Sequence, residues 1–418
     1  MKFKNHKHKL ARPFYVTADC ECTLIKTNNS KKPHKHVVNS CGYYFVNTSD
    51  SSKNYLKRFN GSDCLREMIA SLLELSGKCI QEMRKNEKMK LTREDWKRHD
   101  KAKKCYICSE AFDEGCKSKC KVRDHDHVTG KYRGPAHASC NINYFNNRYL
   151  PVFFHNLRGY DSHLILKEAA ALGLSKIDAI PNNFEKFMCF SIGGKDQSVK
   201  FLDSKQFMNS SLEKLVDNLK DNDPELNNFP NMRKVFGNRV FGKDVKLMTQ
   251  KGVYPYEWVD SMEKLNSFKG LPPQEAFFSS LRQEAITHEE YQHALKVYDD
   301  MKCQSFLDYH NLYLESDIVL LADVYESFRK KSMEIYGLDP TNYISAPGFS
   351  WDAMLLYTGV ELELVHDPII LDILERHKRG GLCFVGTSRY AKAKNKYLDG
   401  NDDPQGSSAV RLAAIIVI

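Results

Sequence analysis

Four carboxylates that lie far apart in the sequence have the types and positions needed to hold divalent cations. Asp19 and Glu21 are two residues apart in FYVTADCECTL, a segment that predicts a β-strand, so both side chains project from one face of that strand. Asp161 follows an apolar segment, in the turn that begins a predicted helix, where α/β folds commonly place ligand-binding groups. Asp317 comes four residues after Tyr313 in YLESDIVLLADVY, so these two share one face of a predicted helix.

This set of side chains suits the hydrolysis of a phosphodiester by two divalent cations. Such a reaction needs several carboxylates around the cations and a group that orients the attacking water. The four acids supply the carboxylates, and Tyr313 supplies the orienting group. Each acid taken alone is more often a solvated or helix-capping residue, so the prediction of a two-metal nuclease depends on the joint pattern.

The joint pattern resembles the three exonuclease motifs of family B DNA polymerases, found here in order as Asp19 to Glu21, Asn156 to Asp161, and Tyr313 to Asp317. The segments FFHNLRGYDSHLI, KGVYPYEW and LDPTNYISAPGFSWDAML are similar to the protein-primed branch, especially the DNA-directed DNA polymerases of Maverick or Polinton elements and their viral relatives. The resemblance runs from about residue 11 to residue 399.

That resemblance implies an RNase H-like fold with 3′-to-5′ exonuclease activity and a role in DNA replication. It implies that the four carboxylates bind two Mg²⁺ or Mn²⁺ ions and that Tyr313 orients the water. It also implies that Asn156 contacts the terminal nucleotide of a single-stranded DNA end or primer terminus.

Two shorter motifs fit the same branch. Ser211 and Leu212 begin an S/T-L-x(2)-hydrophobic motif, which in the family contacts single-stranded DNA and the priming (terminal) protein; the alternative is an ordinary start of an amphipathic helix. Arg379, Gly380 and Gly381 follow Lys378 at the place of the family's Y-x-G-G motif, a template contact. Because a lysine replaces the aromatic residue, the expected DNA contact is through the glycine backbone.

A second group of side chains predicts a structural zinc site. The pairs Cys105-x(2)-Cys108 and His137-x(2)-Cys140, separated by 28 residues, supply four ligands at the spacing of two zinc knuckles. A segment this short cannot bury much core, so zinc binding would contribute directly to its folding. Two further cysteines, Cys116 and Cys120, are rival ligands, but their x(3) spacing and lysine-rich surroundings favour free thiols in a loop.

The loop between the zinc ligands contains VRDHDHVTGKYRG, and Asn141 directly follows Cys140. This arrangement resembles the recombination endonuclease VII type of His-Asn-Asn nuclease. The resemblance implies that Asp124 and Asn141 hold one Mg²⁺ and that His125 is the general base. The DHDH run leaves the register open, with Asp126 and His127 as alternates. The alternative is a zinc-stabilised DNA-binding unit that does not cleave.

The composition limits the classes of protein to which this chain can belong. The net charge of +9, from 62 Lys and Arg against 53 Asp and Glu, suits a nucleic-acid partner but also suits many basic proteins. An odd number of cysteines, 13, without an export signal favours reduced thiols and metal ligation over disulfides. No apolar run reaches the ~20 residues of a membrane span. We therefore expect an intracellular monomer without a membrane partner, at the nucleus or a viral replication site.

The predicted fold class is α/β (mixed α+β). Strands are expected at 14–24, 42–46, 150–157 and 199–204. Helices are expected at 65–83, from about residue 162, at 283–300 and at 306–335, and the segment 222–251 is expected to be irregular. The expected organisation is an exonuclease domain interrupted by a small zinc-bound ββα insert. Its parts, in order, are the first exonuclease part (11–100), the insert (101–149), the second exonuclease part (150–335), a helical segment leading towards a polymerase palm (336–399) and an atypical tail (400–418).

The palm motifs with which the family continues do not occur in these 418 residues, so we expect no nucleotide addition from this chain alone. The tail resembles nothing in the family and suits a frameshift, an intron read-through or a truncated gene copy. Two other functions stay open at this point: a structure-specific endonuclease using Asp124, His125 and Asn141, and a non-catalytic binder of DNA or terminal protein.

Overall fold

The computed structural model describes residues 1–28, 34–174, 176–183, 186–221, 223, 225–237, 245–280, 283–377, 383–391 and 412–417. The chain divides into two units. The first is Phe3–Val360, and the second is formed by Met1–Lys2 with Glu361–Ile418. Within the described residues, the structure contains no helix whose length and apolar character would suit a membrane span.

Strands and helices alternate along the described chain, which gives a mixed α/β structure. The strands are β1 (Phe14–Lys26), β2 (His34–Asn47), β3 (Tyr55–Asn60), β4 (Lys121–His125), β5 (Tyr132–His137), β6 (Leu150–Phe154), β7 (Ile177–Pro181), β8 (Phe187–Gly194), β9 (Gln197–Asp203), β10 (Cys383–Ala391) and β11 (Leu412–Val417). The helices are α1 (Cys64–Met83), α2 (Arg93–Lys101), α3 (Ala138–Asn143), α4 (Asp161–Ala171), α5 (Leu212–Lys220), α6 (Pro230–Phe236), α7 (Met262–Ser267), α8 (His288–Asp300), α9 (Phe306–Tyr336), α10 (Ala346–Thr358) and α11 (Pro368–Arg376).

The first unit is built on a seven-stranded sheet with the order β3-β2-β1-β6-β9-β8-β7. The strand β1 pairs antiparallel with β2 and parallel with β6, while β9 pairs parallel with β6 and antiparallel with β8. The sheet is therefore mixed, and β1 and β6 lie side by side near its centre. Both are almost wholly buried, as expected for strands covered by helices on both faces.

The two faces of the sheet bury different residues of β1. Val16, Ala18 and Cys20 pack in one apolar cluster with α1 and α4. Tyr15 packs in the other cluster, which contains α5, α6 and α9, and the Thr17 hydroxyl donates to the Ile318 carbonyl of α9 at 2.9 Å. Because side chains alternate along a strand, Asp19 and Glu21 belong to the face that carries Tyr15 and Thr17. That face is covered by α9.

The helix α9 is 31 residues long and crosses the sheet. Ser305 and Asp308 form a capping box at its start, and Gly337, with φ of +64°, ends it in the left-handed conformation that favours glycine. Both ends of the helix are therefore defined by local sequence. Tyr313 and Asp317 lie in its buried first half.

Between α1 and β6 the chain forms a small separate structure made of α2, the antiparallel hairpin β4–β5 and α3. Its apolar cluster has few members, and several of them are the cysteines Cys105, Cys108 and Cys140. The segment before α2 also pairs with this hairpin, since the Glu87 and Lys90 amides donate to the carbonyls of His127 and Gly130. This structure has too little apolar core to fold on burial alone.

The second unit contains α11 and the antiparallel pair of β10 and β11. The glycine motif expected to contact the template falls between α11 and β10. Its residues Arg379, Gly380 and Gly381 lie outside the described residues, so that contact stays a prediction.

Candidate functional site

The structure brings the four carboxylates of the first prediction close to one another around the end of β1. Asp19 and Glu21 lie on β1, Asp161 begins α4 directly after β6, and Asp317 lies on α9 above β1. Glu21 is close enough to the other three to be affected by their charges: Asp19, Asp317 and Asp161 all raise its pKa, and Asp317 also raises the pKa of Asp19. Glu21, Asp161 and Asp317 are buried.

Burial is the largest cause of the pKa shifts at these acids, and mutual repulsion adds to it. Burial and then Asp317 raise the pKa of Asp19 to about 7, and burial raises the pKa of Asp161 well above its usual value. Among the described residues, the Oδ1 atoms of Asp161 and of Asp317 are buried and have no hydrogen-bond partner. Buried, unpartnered carboxylate oxygens are costly unless a proton or a cation neutralises them.

A lysine that the sequence analysis did not single out lies in this group. Lys251 Nζ is 3.4 Å from Asp317 Oδ2, and the charges of Asp317, Asp19 and Glu21 raise the pKa of the ammonium group. Lys251 belongs to the segment KGVYPYEW, which contributes to the family resemblance, but the sequence alone predicts no role for the lysine. Its place in this group depends on the long-range contact with Asp317. The spacing of residues along the chain cannot predict such a contact.

Tyr313 is buried beside the carboxylates and belongs to a group of three tyrosines. Its hydroxyl lies 2.8 Å from that of Tyr256, and its ring centroid is 5.0 Å from that of Tyr254. Burial raises the pKa of Tyr313 well above its usual value, so the phenol stays protonated and can donate a hydrogen bond.

Asn156 lies in the loop between β6 and α4 and is exposed. Its φ of +77° is left-handed, a conformation that asparagine adopts more readily than most residues. Asp203, a buried residue at the end of β9, holds this loop by accepting from the amides of Asn156 at 2.9 Å and Arg158 at 3.1 Å. The Asn156 side chain lies against Gly159, where a Cβ would be 2.7 Å from Asn156 Oδ1 and would displace that side chain.

The residues Ser211 and Leu212 have structural roles in this fold. The Ser211 hydroxyl caps α5 by accepting from the Lys214 amide at 3.3 Å, and Leu212 is buried in the cluster beneath α9. Contact of this motif with DNA stays a prediction.

The four predicted zinc ligands lie together in a cluster that could hold a metal ion. One ligand atom from each of Cys105, Cys108, His137 and Cys140 lies within 4.8 Å of all the others, and within the described residues this is the one such His, Cys, Asp or Glu group. His137 Nδ1 is 3.3 Å from Cys108 Sγ and 3.8 Å from Cys140 Sγ, while Nε2 is 2.9 Å from the Ala111 carbonyl. That second contact orients the ring as in known metal-ligating histidines.

The charges at this cluster also favour a cation. Burial and then the neighbouring thiols raise the pKa of Cys140 to about 12, so holding thiolates there without a metal ion is unfavourable. The rival cysteines lie outside the cluster and have local partners: Cys116 Sγ is 3.1 Å from the Ser118 hydroxyl, and Cys120 donates to the Lys117 carbonyl at 3.2 Å.

The DHDH run lies at the end of the hairpin formed by β4 and β5. Asp124 is buried and accepts two hydrogen bonds from Arg133, at 2.8 Å from Nε and 3.0 Å from Nη2, and another from the Tyr106 hydroxyl. Both of its oxygens are therefore engaged by protein groups. A metal ion at Asp124 would have to share the carboxylate with Arg133.

The neighbours of Asp124 are more accessible. His125 Nε2 is 3.2 Å from the Glu87 carbonyl, and the His125 ring stacks on His127 with centroids 4.6 Å apart. Asp126 Oδ1 accepts from the amides of Val128 and Thr129, each at 2.9 Å, and so closes the turn. Asn141 lies on α3 and is partly exposed.

A comparison with known families assigns the zinc-ligand region. The family model described as recombination endonuclease VII matches residues 82–157, which include the four cluster residues and the β4–β5 hairpin. The chain thus contains an endonuclease VII-like segment, named so from here on, which covers less than a fifth of its length. No curated protein matches the chain.

Two solved structures are similar to the chain as a whole. They are Phi29 DNA polymerase complexed with primer-template DNA, with a TM-score of 0.40, and the same polymerase complexed with single-stranded DNA, with a TM-score of 0.41. Each is 13% identical to the chain over 90% of it. The chain spans 41% of the length of these polymerase chains.

Proposed function

We propose that the chain is a metal-dependent DNA nuclease that removes nucleotides from the 3′ end of single-stranded DNA. The observation that carries this proposal is the convergence of Asp19, Glu21, Asp161 and Asp317 from three separate segments into one group, in which neighbouring acids raise the pKa of Asp19, Glu21 and Asp161. Burying Glu21, Asp161 and Asp317 beside the partly buried Asp19 is unfavourable for the fold. Such an arrangement is characteristic of functional sites.

The residues present fit two divalent cations. Mg²⁺ and Mn²⁺ prefer carboxylate oxygens, and the Oδ1 atoms of Asp161 and Asp317 are buried without a partner in the described structure. Among the described residues, the four carboxylates do not form a group as closely spaced as the Cys and His cluster. When bound, such ions generate a nucleophile from water and stabilise charge on the phosphate.

The remaining side chains have distinct roles in this proposal. The protonated Tyr313 phenol orients the attacking water by a hydrogen bond, and Asn156, exposed at the loop, contacts the terminal nucleotide. Asp203 is a positioning residue, because it holds the backbone of that loop. Lys251 reduces the repulsion at Asp317 and opposes the rise in the pKa of its carboxyl that burial causes.

For the endonuclease VII-like segment we propose a structural zinc ion bound by the four cluster residues and a role in binding DNA. Cleavage by Asp124, His125 and Asn141 is the second candidate function, favoured by the family-model match. The engagement of Asp124 by Arg133 and Tyr106 places it second.

We also propose a biological setting, supported by the ordered sequence motifs. The chain would be the N-terminal part of a protein-primed family B DNA polymerase of Maverick or Polinton type, acting in DNA replication inside the cell. Its partners would be a single-stranded DNA end or primer terminus and a terminal protein.

The proposed function is tested with end-labelled DNA. Purified chain with Mg²⁺ is incubated with a single strand labelled at the 5′ end, a strand labelled at the 3′ end, and closed circular or branched DNA. The exonuclease proposal predicts a ladder of 5′-labelled products that shorten from the 3′ end, lost in Asp19→Ala/Glu21→Ala and kept in His125→Ala. Cuts confined to circular or branched DNA and lost in His125→Ala would instead assign the activity to the endonuclease VII-like segment.

Replacing Lys251 by methionine is expected to slow nucleotide removal by about tenfold to a hundredfold, which corresponds to ~1.4–2.8 kcal/mol in the barrier. Methionine keeps most of the side-chain volume but removes the charge 3.4 Å from Asp317. The measurement is the single-turnover rate on a 5′-labelled strand. Lys331→Met, at an exposed position of α9, is the matched control. Equal rates for both variants would remove Lys251 from the site.

Stabilisation by Mg²⁺ is expected to depend on pH. The pKa of Asp19 in the fold, about 7, exceeds the ordinary value of 3.8, so the magnesium-free fold holds a proton that the unfolded chain releases. This proton therefore contributes its full stabilisation below about pH 4, and that contribution is lost as the pH rises through about 7. Because Mg²⁺ binds the ionised carboxylates, it should raise the Tm more at about pH 8 than at about pH 5.

This pH dependence is measured by thermal unfolding with and without MgCl₂, in buffer without chelator so that zinc is kept. The variant Asp19→Asn/Glu21→Gln should show no added Mg²⁺ stabilisation at high pH. The same Mg²⁺ increment in the wild type and in this variant would show that the ion binds elsewhere.

A further inference from the structure

A cleft lined by cationic side chains lies where the endonuclease VII-like segment joins the sheet. Its volume is about 260 Å³, and it is lined by Arg84, Arg148, Lys176 and Lys195, among others. Arg84 follows the end of α1 and Arg148 precedes β6, so these two lie on the connections into and out of the inserted structure. Lys176 precedes β7, and Lys195 lies in the turn between β8 and β9. None of the four proposed catalytic carboxylates lines it.

The cleft keeps an excess of positive charge after its ion pairs are formed. Arg84 pairs with Asp196 at 2.5 Å, and Lys176 pairs with Asp178 at 3.1 Å. Arg148 and Lys195 form none of the ion pairs found between described residues. Asp178, which also lines the cleft, is the carboxylate paired with Lys176, so two cations face the concavity without a carboxylate partner among the described residues and favour an anionic ligand.

The backbone of the β8–β9 turn leaves room for that ligand. Gly193 has φ of +87°, and a Cβ there would collide with the Gln197 carbonyl, so this turn requires glycine. At Gly194 a Cβ would meet nothing within 4 Å, so the space beside this residue is open. The hydroxyl-bearing residues Ser191 and Ser198 also line the cleft and supply hydrogen-bond donors.

The size of the cleft bears on which anion fits. Its volume lies at or below the small end of the ~300–1,000 Å³ range of clefts that enclose drug-sized ligands. A phosphate group with two arginine or lysine partners fits such a space, whereas an enclosed nucleoside triphosphate needs more. A phosphate that is part of a chain can enter while its sugars and bases stay outside.

We propose that this cleft binds a backbone phosphate of the DNA on which the chain acts, at a contact separate from both nuclease sites. The inference rests on the proposed function, because it takes DNA as the substrate. It adds a residue-level assignment: Arg148 and Lys195 hold the phosphate, and the open side of Gly194 admits it. DNA would then contact the sheet and the inserted structure at the same point.

The test measures DNA binding by the full chain, with Ca²⁺ in place of Mg²⁺ to prevent cleavage. The probes are a fluorescent single strand and a duplex with a single-stranded 3′ end, titrated at several KCl concentrations. The variant Arg148→Gln/Lys195→Gln is compared with Lys296→Gln/Lys331→Gln, which removes two exposed charges elsewhere. A second pair is Gly194→Glu, which places a carboxylate in the open space, and Gly194→Ala, which does not.

The expected result is a salt dependence that is shallower by about 0.7–0.9 in log–log slope for one lost phosphate contact, and an affinity about fivefold weaker at ~0.1 M salt. Gly194→Glu should weaken binding similarly. The two control variants should bind like the wild type. If the slope and the affinity are the same for Arg148→Gln/Lys195→Gln and for its control, the cleft assignment is wrong. The proposed function would be unaffected by that result.

Two further outcomes show whether the bound phosphate belongs to DNA or is a free anion, and whether the proposed function fails along with the cleft assignment. Inorganic phosphate should compete with DNA for the wild type more than for Arg148→Gln/Lys195→Gln. If the cleft variants lose this competition but keep full DNA affinity, the cleft takes a free anion and the DNA assignment is wrong. If the wild type binds no DNA at all, the proposed function fails together with this inference.

Discussion

Replacing Cys140 by serine is expected to release the metal ion and unfold the endonuclease VII-like segment while the seven-stranded sheet stays folded. The apolar cluster of this segment is small and includes three of the four ligands, so little else holds it together. Structural zinc contributes an apparent ~10–16 kcal/mol in isolated zinc-finger peptides. Here the segment is joined at both ends to folded structure, so we expect local unfolding rather than loss of the whole fold.

Three measurements check this prediction. Elemental analysis should find zinc in the wild type and little in Cys140→Ser, and limited trypsin digestion should cut the variant rapidly among the lysines between Lys103 and Lys121. Hydrogen exchange should stay slow in β1 and α9. The matched control is Cys120→Ser, which removes a thiol outside the cluster. Full zinc content and unchanged digestion in Cys140→Ser would contradict the assignment of the ligands.

Replacing Asp317 by asparagine is expected to lower nucleotide removal by at least about a thousandfold, or ~4 kcal/mol in the barrier. The amide keeps the shape of the side chain but cannot hold a cation as a carboxylate does. The same change removes a buried charge whose pKa is raised by burial, so the magnesium-free protein should be as stable as the wild type or more stable at neutral pH. Lost activity with preserved stability would distinguish a catalytic role from a structural one.

The same helix offers a matched control with the opposite expected outcome. Asp323 is also buried on α9, but its oxygens accept hydrogen bonds from Asn231 and from the Met232 amide at 2.9 Å. In Asp323→Asn an amide group would face an N–H donor, and we expect a loss of about 1–3 kcal/mol of stability with activity kept in the folded fraction. If Asp317→Asn instead loses stability and keeps its rate, the proposed exonuclease site is wrong.

The elements with strong local signals could be predicted from the sequence. The strand expected at 14–24 is observed at Phe14–Lys26, and the helix expected at 306–335 is observed at Phe306–Tyr336. The first has continuous β-branched and aromatic residues, and the second has a helical repeat that follows a capping box. The helix expected at 65–83 is also confirmed, as Cys64–Met83.

Other elements could not be predicted because their formation depends on distant partners. The strand β7 is exposed along its whole length and contains a proline, so it shows no alternation of buried and exposed residues. The strand β2 begins at His34 rather than near residue 42, since its polar first residues pair with β1 beyond the core. The segment 222–251, expected to be irregular, contains α6, whose first amides are held by Asp323.

The same limit applies to the candidate site. The four carboxylates could be singled out from residue type and spacing, because strand and helix periodicities place their side chains. Lys251 and Asp203 could not, since each is a single charged residue whose role comes from a long-range contact. The pairing of Asp124 with Arg133 depends on the register of the hairpin, which sequence spacing alone does not define.

The capped ends of α9 have a consequence for how this chain can change in evolution. Asp317 lies twelve positions after the N-cap Ser305 and twenty before Gly337, so a single inserted or deleted residue on either side leaves one end of the helix misplaced relative to the sheet. Each residue turns an α-helix by about 100°, so such a change would also rotate Asp317 away from β1 or rotate the apolar residues that anchor the helix. Substitutions along α9 should therefore be tolerated far more often than changes in its length.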